Sequence, residues 1–357
     1  MLKVNRDLFK LAFTYPCLMH ASLAVALTYD RFLNTDSYSR RSLEECYHWS
    51  QSTALFNEKL RQPLKKRDND PIWGTAGALA VLTFSSPDAY RPEYSWPLKQ
   101  STKNDLEWVQ MINGKMSLWE MVEPHRKDSV FHVMAATFDQ MQSPLPEVGV
   151  HGIPEPLADI CLLHDLSTAD NNPYFIAAHA VSRVLNLPDS EVTTGHTQIF
   201  THSLDGVFKA LLLEKDSVAL LLLYLWYRKA GRSIWWIELR ARVECPAIRM
   251  YVETYHGDDV VVNALLQNEK LVMLDVEDNT PDGQYGDISV VTASSVLSSG
   301  ARCAVQLHDR KEHKALVIGD GSIRERLREL MPAQEDSDTK GDCPMLAQDR
   351  MCSAVDA

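Results

Sequence analysis

Residues 216–239 read DSVALLLLYLWYRKAGRSIWWIEL, and the fold class turns on what this run is. Its apolar part, Val218 to Tyr227, is ten residues long, about half of the ~20 that a helix needs to span a bilayer. Lys215 and Asp216 bracket it on one side, Arg228 and Lys229 on the other. A core helix is therefore expected, with no membrane span. Asp216 can cap its start, while Arg228, Lys229 and Arg232 favour its negative C-terminal end and Gly231 permits the chain to reverse. Trp235 and Trp236 then open the next helix. Adjacent helical residues point about 100° apart, so one indole should enter the core while the other lies at its margin or faces a cavity. Both need burial and a partner for the indole N–H.

Outward from this hairpin, helical start signals recur from the N-terminus to about residue 260 and strand alternation is scarce. Pro16 sets the first turn of CLMHASLAVALTYDRFL, apolar nearly all round. Ser42 and Glu45 have capping-box spacing, ahead of a helix expected to turn Leu43, Cys46, Tyr47, Ala54 and Leu55 inward. Asp70-Pro71 reads as an N-cap followed by an N1 proline. The helix it opens carries Gly74, Ala76, Gly77, Ala78 and Ala80, which suit close contact in the middle of a bundle. A helix over LEWVQMINGKMSLWEMV should end at Pro124. Others are expected at Ser129–Met141, Leu157–Leu166, Tyr174–Leu187, Ser203–Leu213 and Ile234 to about Tyr255. These signals predict an all-α, irregular multi-helix array over residues 1–270.

From residue 271 the character changes. LVMLDV, ISVVTA, CAVQL and ALVIG read as short strands or fragments between polar turns. Residues 271–357 hold 16 Asp and Glu against 9 Lys and Arg, a net −7 within a chain net of −12. An acidic C-terminal extension, largely irregular or disordered, is expected there.

Charge and composition narrow the function. The chain has 357 residues, 45% hydrophobic and 24% charged, an ordinary globular composition. Its acidic balance opposes a phosphate backbone, and Arg61, Lys65, Lys66 and Arg67 read as a solvated loop. Seven scattered cysteines form neither a disulfide framework nor a CxxC metal ribbon, which fits a reducing compartment. Lys3, Arg6 and Lys10 before an apolar run, with Ala24-Val25-Ala26 behind it, imitate a leader peptide, but Pro16 and His20 interrupt the run and a buried helix is the reading adopted.

Catalytic motifs are absent: the chain has no HExxH, GxSxG or Walker loop. In VIGDGSIRERL, Arg324 stands where a dinucleotide loop would have its third glycine, so this is a turn. His164 and Asp165, with His179 one helix on, are residue types that could hold a metal which activates water; no fuller ligand set can be assembled around them.

DSVALLLLYLWYRKAGRSIWWIELRARVECPAI resembles the C-terminal regulatory domain of fungal zinc-cluster transcription factors of the sterol uptake control protein type. YPCLMHASLAVAL, SLEECYHWSQSTALFNEKL and DLEWVQMINGKMSLWEMV follow in the order expected of that family. The resemblance implies a nuclear, non-enzymatic, all-helical domain for transcription regulation that senses a sterol or another lipophilic metabolite, or serves for dimerisation and coactivator contact. It carries the family's apolar pocket at best onto Leu222, Trp226, Trp235 and Trp236. It implies no cofactor here: the six-cysteine zinc cluster that reads DNA has no counterpart in this sequence, so DNA would be reached through a module outside it. The other readings are a ligand-free helical scaffold for protein–protein interaction and a metal-dependent hydrolase at His164 and Asp165.

Overall fold

The structure is a computed structural model and describes residues 2–34, 40–87, 89–102, 104–204 and 206–272. Among these residues every regular element is a helix, so the chain is all-α there as expected. Beyond Val272 the expected short strands and the acidic extension lie outside the described residues. No helix among the described residues is long and apolar enough to cross a membrane.

The N-terminal layer holds α1 (Leu2–Thr14), α2 (Pro16–Asn34) and α3 (Leu43–Leu60). Helix α1 lies ahead of the first expected helix, on residues whose basic members read as a leader flank. Pro16 occupies the first position of α2, where its missing N–H costs nothing. At the start of α3 the Ser42 hydroxyl accepts from the Glu45 amide at 3.0 Å. The return half of the capping box is not made. The Glu45 carboxylate turns into the core instead, accepting from Arg31 Nη2 and Thr28 Oγ1, each at 2.9 Å. That ion pair reorients the helix: its buried face is Glu45, Ser52 and Phe56, while Leu43 is 85% exposed and Tyr47 points outward. The expected inner face of α3 fails at Leu43, Tyr47 and Ala54, where a carboxylate with a buried arginine partner has taken the core position, while Cys46 is half-buried and Leu55 packs at the edge of the core.

Helix α4 (Asn69–Phe84) is buried on almost every side, which its small residues permit. A Cβ at Gly74 would lie 3.2 Å from Leu18 Cδ1 and 3.3 Å from Phe131 Cζ, so here the small residue does allow close approach; Gly77 has open space instead. Asp70 does not cap this helix, since Asp68 holds the N-cap position. The Asp70 carboxylate accepts from Arg126, from Ser129 Oγ at 2.8 Å and from the Val130 amide at 3.0 Å, fastening the loop that leads to α7.

The helix expected over 106–122 is interrupted. It forms α5 (Glu107–Gly114), a 3₁₀ turn at Lys115–Leu118 and α6 (Trp119–Val122), and Glu123 at φ +43° ends it before Pro124. Because Ser129 and Val130 are committed to Asp70, α7 begins at Ala135 and runs to Met141. Then α8 (Glu155–Ile160) stops short where Leu162 adopts φ +54°. After α9 (Phe175–Leu185) comes α10 (Thr194–His202), unforeseen in the sequence, capped by Thr193 with His196 reaching back. The chain closes with α11 (Gly206–Leu213), α12 (Ser217–Gly231), α13 (Trp235–Tyr255) and α14 (Val260–Gln267).

Two apolar clusters result. One gathers α1, α2, α3, most of α4 and the segment 118–141; the other gathers the end of α4, α5 and α8 to α14. Helix α4 contributes to both, through Ile72 to Leu82 on one side and Val81 and Phe84 on the other. Arg240 of α13 closes this junction. Its guanidinium donates to the Phe84 carbonyl, to Ser86 O at 2.8 Å and to Glu244, and lies 5.2 Å from the Phe84 ring centre and 5.4 Å from that of Trp108. Glu244 also accepts from the Tyr227 hydroxyl at 2.6 Å. Removing one member of a buried ion pair leaves the other charge without compensation, so Arg240→Met is expected to cost about 3–5 kcal/mol, read as a lowered urea midpoint by circular dichroism.

Candidate functional site

The α12–α13 hairpin holds all four residues that the sequence nominates for a ligand. Asp216 caps α12, its carboxylate accepting from the Ala219 amide at 2.8 Å and from the Tyr174 hydroxyl at 3.0 Å. Burial and the neighbouring Asp216 push the Tyr174 phenol well up. At the far end a Cβ on Gly231 would sit 2.8 Å from Glu238 Oε2 and 3.3 Å from Glu238 Cα. A side chain here would push Glu238 and the start of α13 aside, so glycine eases the close approach of the two helices. The basic residues of the turn bind neighbouring elements: Arg228 and Arg232 hold Glu269, and the buried Lys229 reaches Asp189 at 2.6 Å.

Leu222 is fully buried inside α12. Trp226 is fully buried too, and its needs are met by protein: Nε1 donates to Thr197 O at 3.2 Å, and the ring stacks on Phe200 with centroids 5.2 Å apart. Trp236 enters the same core and meets Phe84 edge to face at 4.9 Å. Trp235 differs from these three. It is partly buried, packs against both apolar clusters, and contacts the rings of Tyr29 at 5.1 Å and Phe32 at 5.9 Å. Its Nε1 is enclosed yet has no hydrogen-bond partner among the described residues. One indole inside and one at the margin is the division that the 100° step predicts. Tyr29, Phe32, Phe84 and Arg240 were missed in the sequence; the only trace of Arg240 was its four-residue spacing to Glu244 in an apolar helix.

The structure does not bring the suspected metal ligands together. His164 and Asp165 lie on an exposed turn, where His164 Nδ1 accepts from the Leu166 amide. His179 is buried beneath, its Nε2 within 3.0 Å of the Gly149 carbonyl, to which it must donate. Among the described residues no three His, Cys, Asp or Glu side chains form a group suited to a metal ion. A different histidine pair is closer: Nδ1 of His20 on α2 lies 2.8 Å from Nδ1 of His48 on α3, so one ring donates and the other accepts.

No protein-family model, curated protein or solved structure matches this chain.

Two outcomes follow for the tryptophans. Trp226→Ala should destabilise by about 3–5 kcal/mol, as expected for deleting a filled core ring, measured by urea unfolding. Trp235→Phe removes a donor that bonds nothing together with part of a packed ring, and should cost about 1–2 kcal/mol in the same assay, well below the Trp226→Ala loss. Acid should also loosen the fold. Burial lowers the pKa values of His20, His179 and His196, so the unfolded chain binds more protons than the folded one below the ordinary histidine value. Stability from these residues is complete above about pH 6.5 and is lost as pH falls below it, which melting temperatures measured from pH 7.5 to 5 should show.

Proposed function

We propose that this chain is the regulatory helical domain of a fungal zinc-cluster type transcription regulator, acting in the nucleus without enzymatic activity of its own. The reading rests on the ordered helical segments and on the Leu-rich helix, basic turn and Trp-Trp pair. The observation that carries its sensing half is Trp235. An indole N–H enclosed without a partner, between the Tyr29 and Phe32 rings and at the meeting of two apolar clusters, suits a lipophilic molecule bearing one acceptor. A sterol or another apolar metabolite with a hydroxyl or carbonyl fits that description. Burial of its apolar surface would supply most of the affinity at roughly 25 cal/mol per Å², and the indole hydrogen bond would orient it.

The mechanism is a shift of population. A ligand seated against Trp235 touches both clusters at once, so it favours one packing of α2 against α13 and changes what a dimer partner or coactivator meets. DNA would be reached through a separate module. A helical scaffold without ligand is the second reading, favoured by the way Leu222 and Trp226 are filled and satisfied by the protein itself.

Titration of the purified chain with a fluorescent sterol separates the two. Saturable binding that Trp235→Phe weakens about fivefold to tenfold, the worth of one hydrogen bond, measured at a temperature where circular dichroism shows the variant still folded, is the expected result. Absence of saturable binding to the parent chain across a panel of sterols and other lipids would leave the scaffold reading.

A further inference from the structure

The side of the molecule formed by residues 147–172 carries three apolar side chains that its own fold does not use. Leu162 is 77% exposed, Leu166 74% and Val148 52%. Single exposed leucines are ordinary; here backbone contacts hold together the segments that carry all three. The Gly149 amide donates to Ser167 O at 2.9 Å, and the Cβ that Gly149 lacks would lie 3.5 Å from Asp165 O. That backbone approach sets Val148 beside the Asp165–Leu166 step. Gly149 has φ +88°, and buried His179 fixes its carbonyl from below.

The leucines themselves sit on a fastened loop. Asn172 Nδ2 donates to Cys161 O at 2.9 Å and Leu162 O at 3.3 Å, Asn171 Nδ2 to Leu166 O at 3.0 Å, and the His164 amide to Ser167 Oγ at 2.9 Å. Leu162 is held at φ +54°, a conformation that disfavours a side chain with a Cβ and suits glycine or asparagine. Strain and exposure at one leucine both work against stability, and a contact outside the chain would recover the loss.

The charge around the patch says what that contact is. Between Lys127 and Arg183 the sequence has no lysine or arginine and seven Asp or Glu. Of these, Glu155, Asp159, Asp165 and Asp170 are exposed on the segments that carry or flank the leucines. We propose that Val148, Leu162 and Leu166 form a preorganised knob that docks into an apolar groove rimmed by lysine and arginine on a partner protein. A second copy of the chain would set like charge against like, and an anionic lipid surface would repel the patch.

The test uses the full chain and two labelled amphipathic helical peptides as probes, one of leucine and lysine and one of leucine and glutamate, followed by fluorescence anisotropy. The leucine–lysine peptide should bind and the leucine–glutamate peptide should not. Leu162→Ser with Leu166→Ser should weaken binding by about tenfold or more, with an unchanged circular dichroism melt because both side chains are exposed. Asp159→Lys with Asp165→Lys should weaken it further, and added salt should do the same. Val260→Ser with Val261→Ser, an exposed apolar pair elsewhere, should leave it as in the parent. The proposal is overturned if the parent does not bind the basic peptide, if both peptides bind alike, or if the leucine and valine variants lose affinity equally. It is also overturned if sedimentation shows a dimer of the parent that the leucine variant abolishes, since the patch then joins two copies.

Discussion

Arg240 is the interaction on which the rest of the structure leans. A guanidinium in an apolar interior is stable only if its charge and donors are nearly all met, because desolvation of a lone charge is far more costly than any packing gain. Here the end of α4 and the chain just beyond it supply the Phe84 and Ser86 carbonyls, and Glu244 supplies the countercharge. A helix C-terminus carries partial negative charge, so a cation is stabilised at that spot. The two needs answer each other: α4 must end where Arg240 can reach it, and α13 must lie across that end. Phe84, in the same turn, then meets the rings of Trp108, Trp226, Tyr227 and Trp236.

From this junction the roles of the tandem tryptophans follow. Trp236 is locked by its contact with Phe84, and Trp226 by Phe200 and the Thr197 carbonyl. Trp235, one residue away and about 100° round the helix, is carried to the boundary where α2 and α13 meet. A fully packed indole on one side and a partly buried one with an unpartnered donor on the other thus flank the boundary. The proposal that the hairpin is a control element starts from this contrast.

Much of the helical order was legible in residues 16–34, 175–185, 216–231 and 235–255 from apolar patterning, helped by Pro16 in the first turn of α2 and by the Asp216 cap of α12. The Asp216 cap and the split of Trp235 from Trp236 follow from local geometry, which a sequence carries. The inward turn of Glu45 and the use of Asp70 as a staple do not, because both depend on arginines, Arg31 and Arg126, that reach their partners only when the chain has folded. The change from α-helix to 3₁₀ turn after Gly114 falls at a residue of low helix propensity, whereas the left-handed backbone of Leu162 has no cue in the local pattern. As for the site, the tryptophans could be nominated from sequence, but Tyr29 and Phe32 lie some two hundred residues earlier and share no motif with them.

If α4 and Arg240 join the two apolar clusters into one cooperative unit, they must open together. Native-state hydrogen exchange, followed amide by amide with increasing denaturant, measures this directly. The account predicts that the slowest amides of α2 and α4 and those of α12 and α13 merge into a single isotherm with one opening free energy. Two separate isotherms, with the α1–α3 layer opening at markedly lower energy while α12 and α13 stay protected, would contradict it.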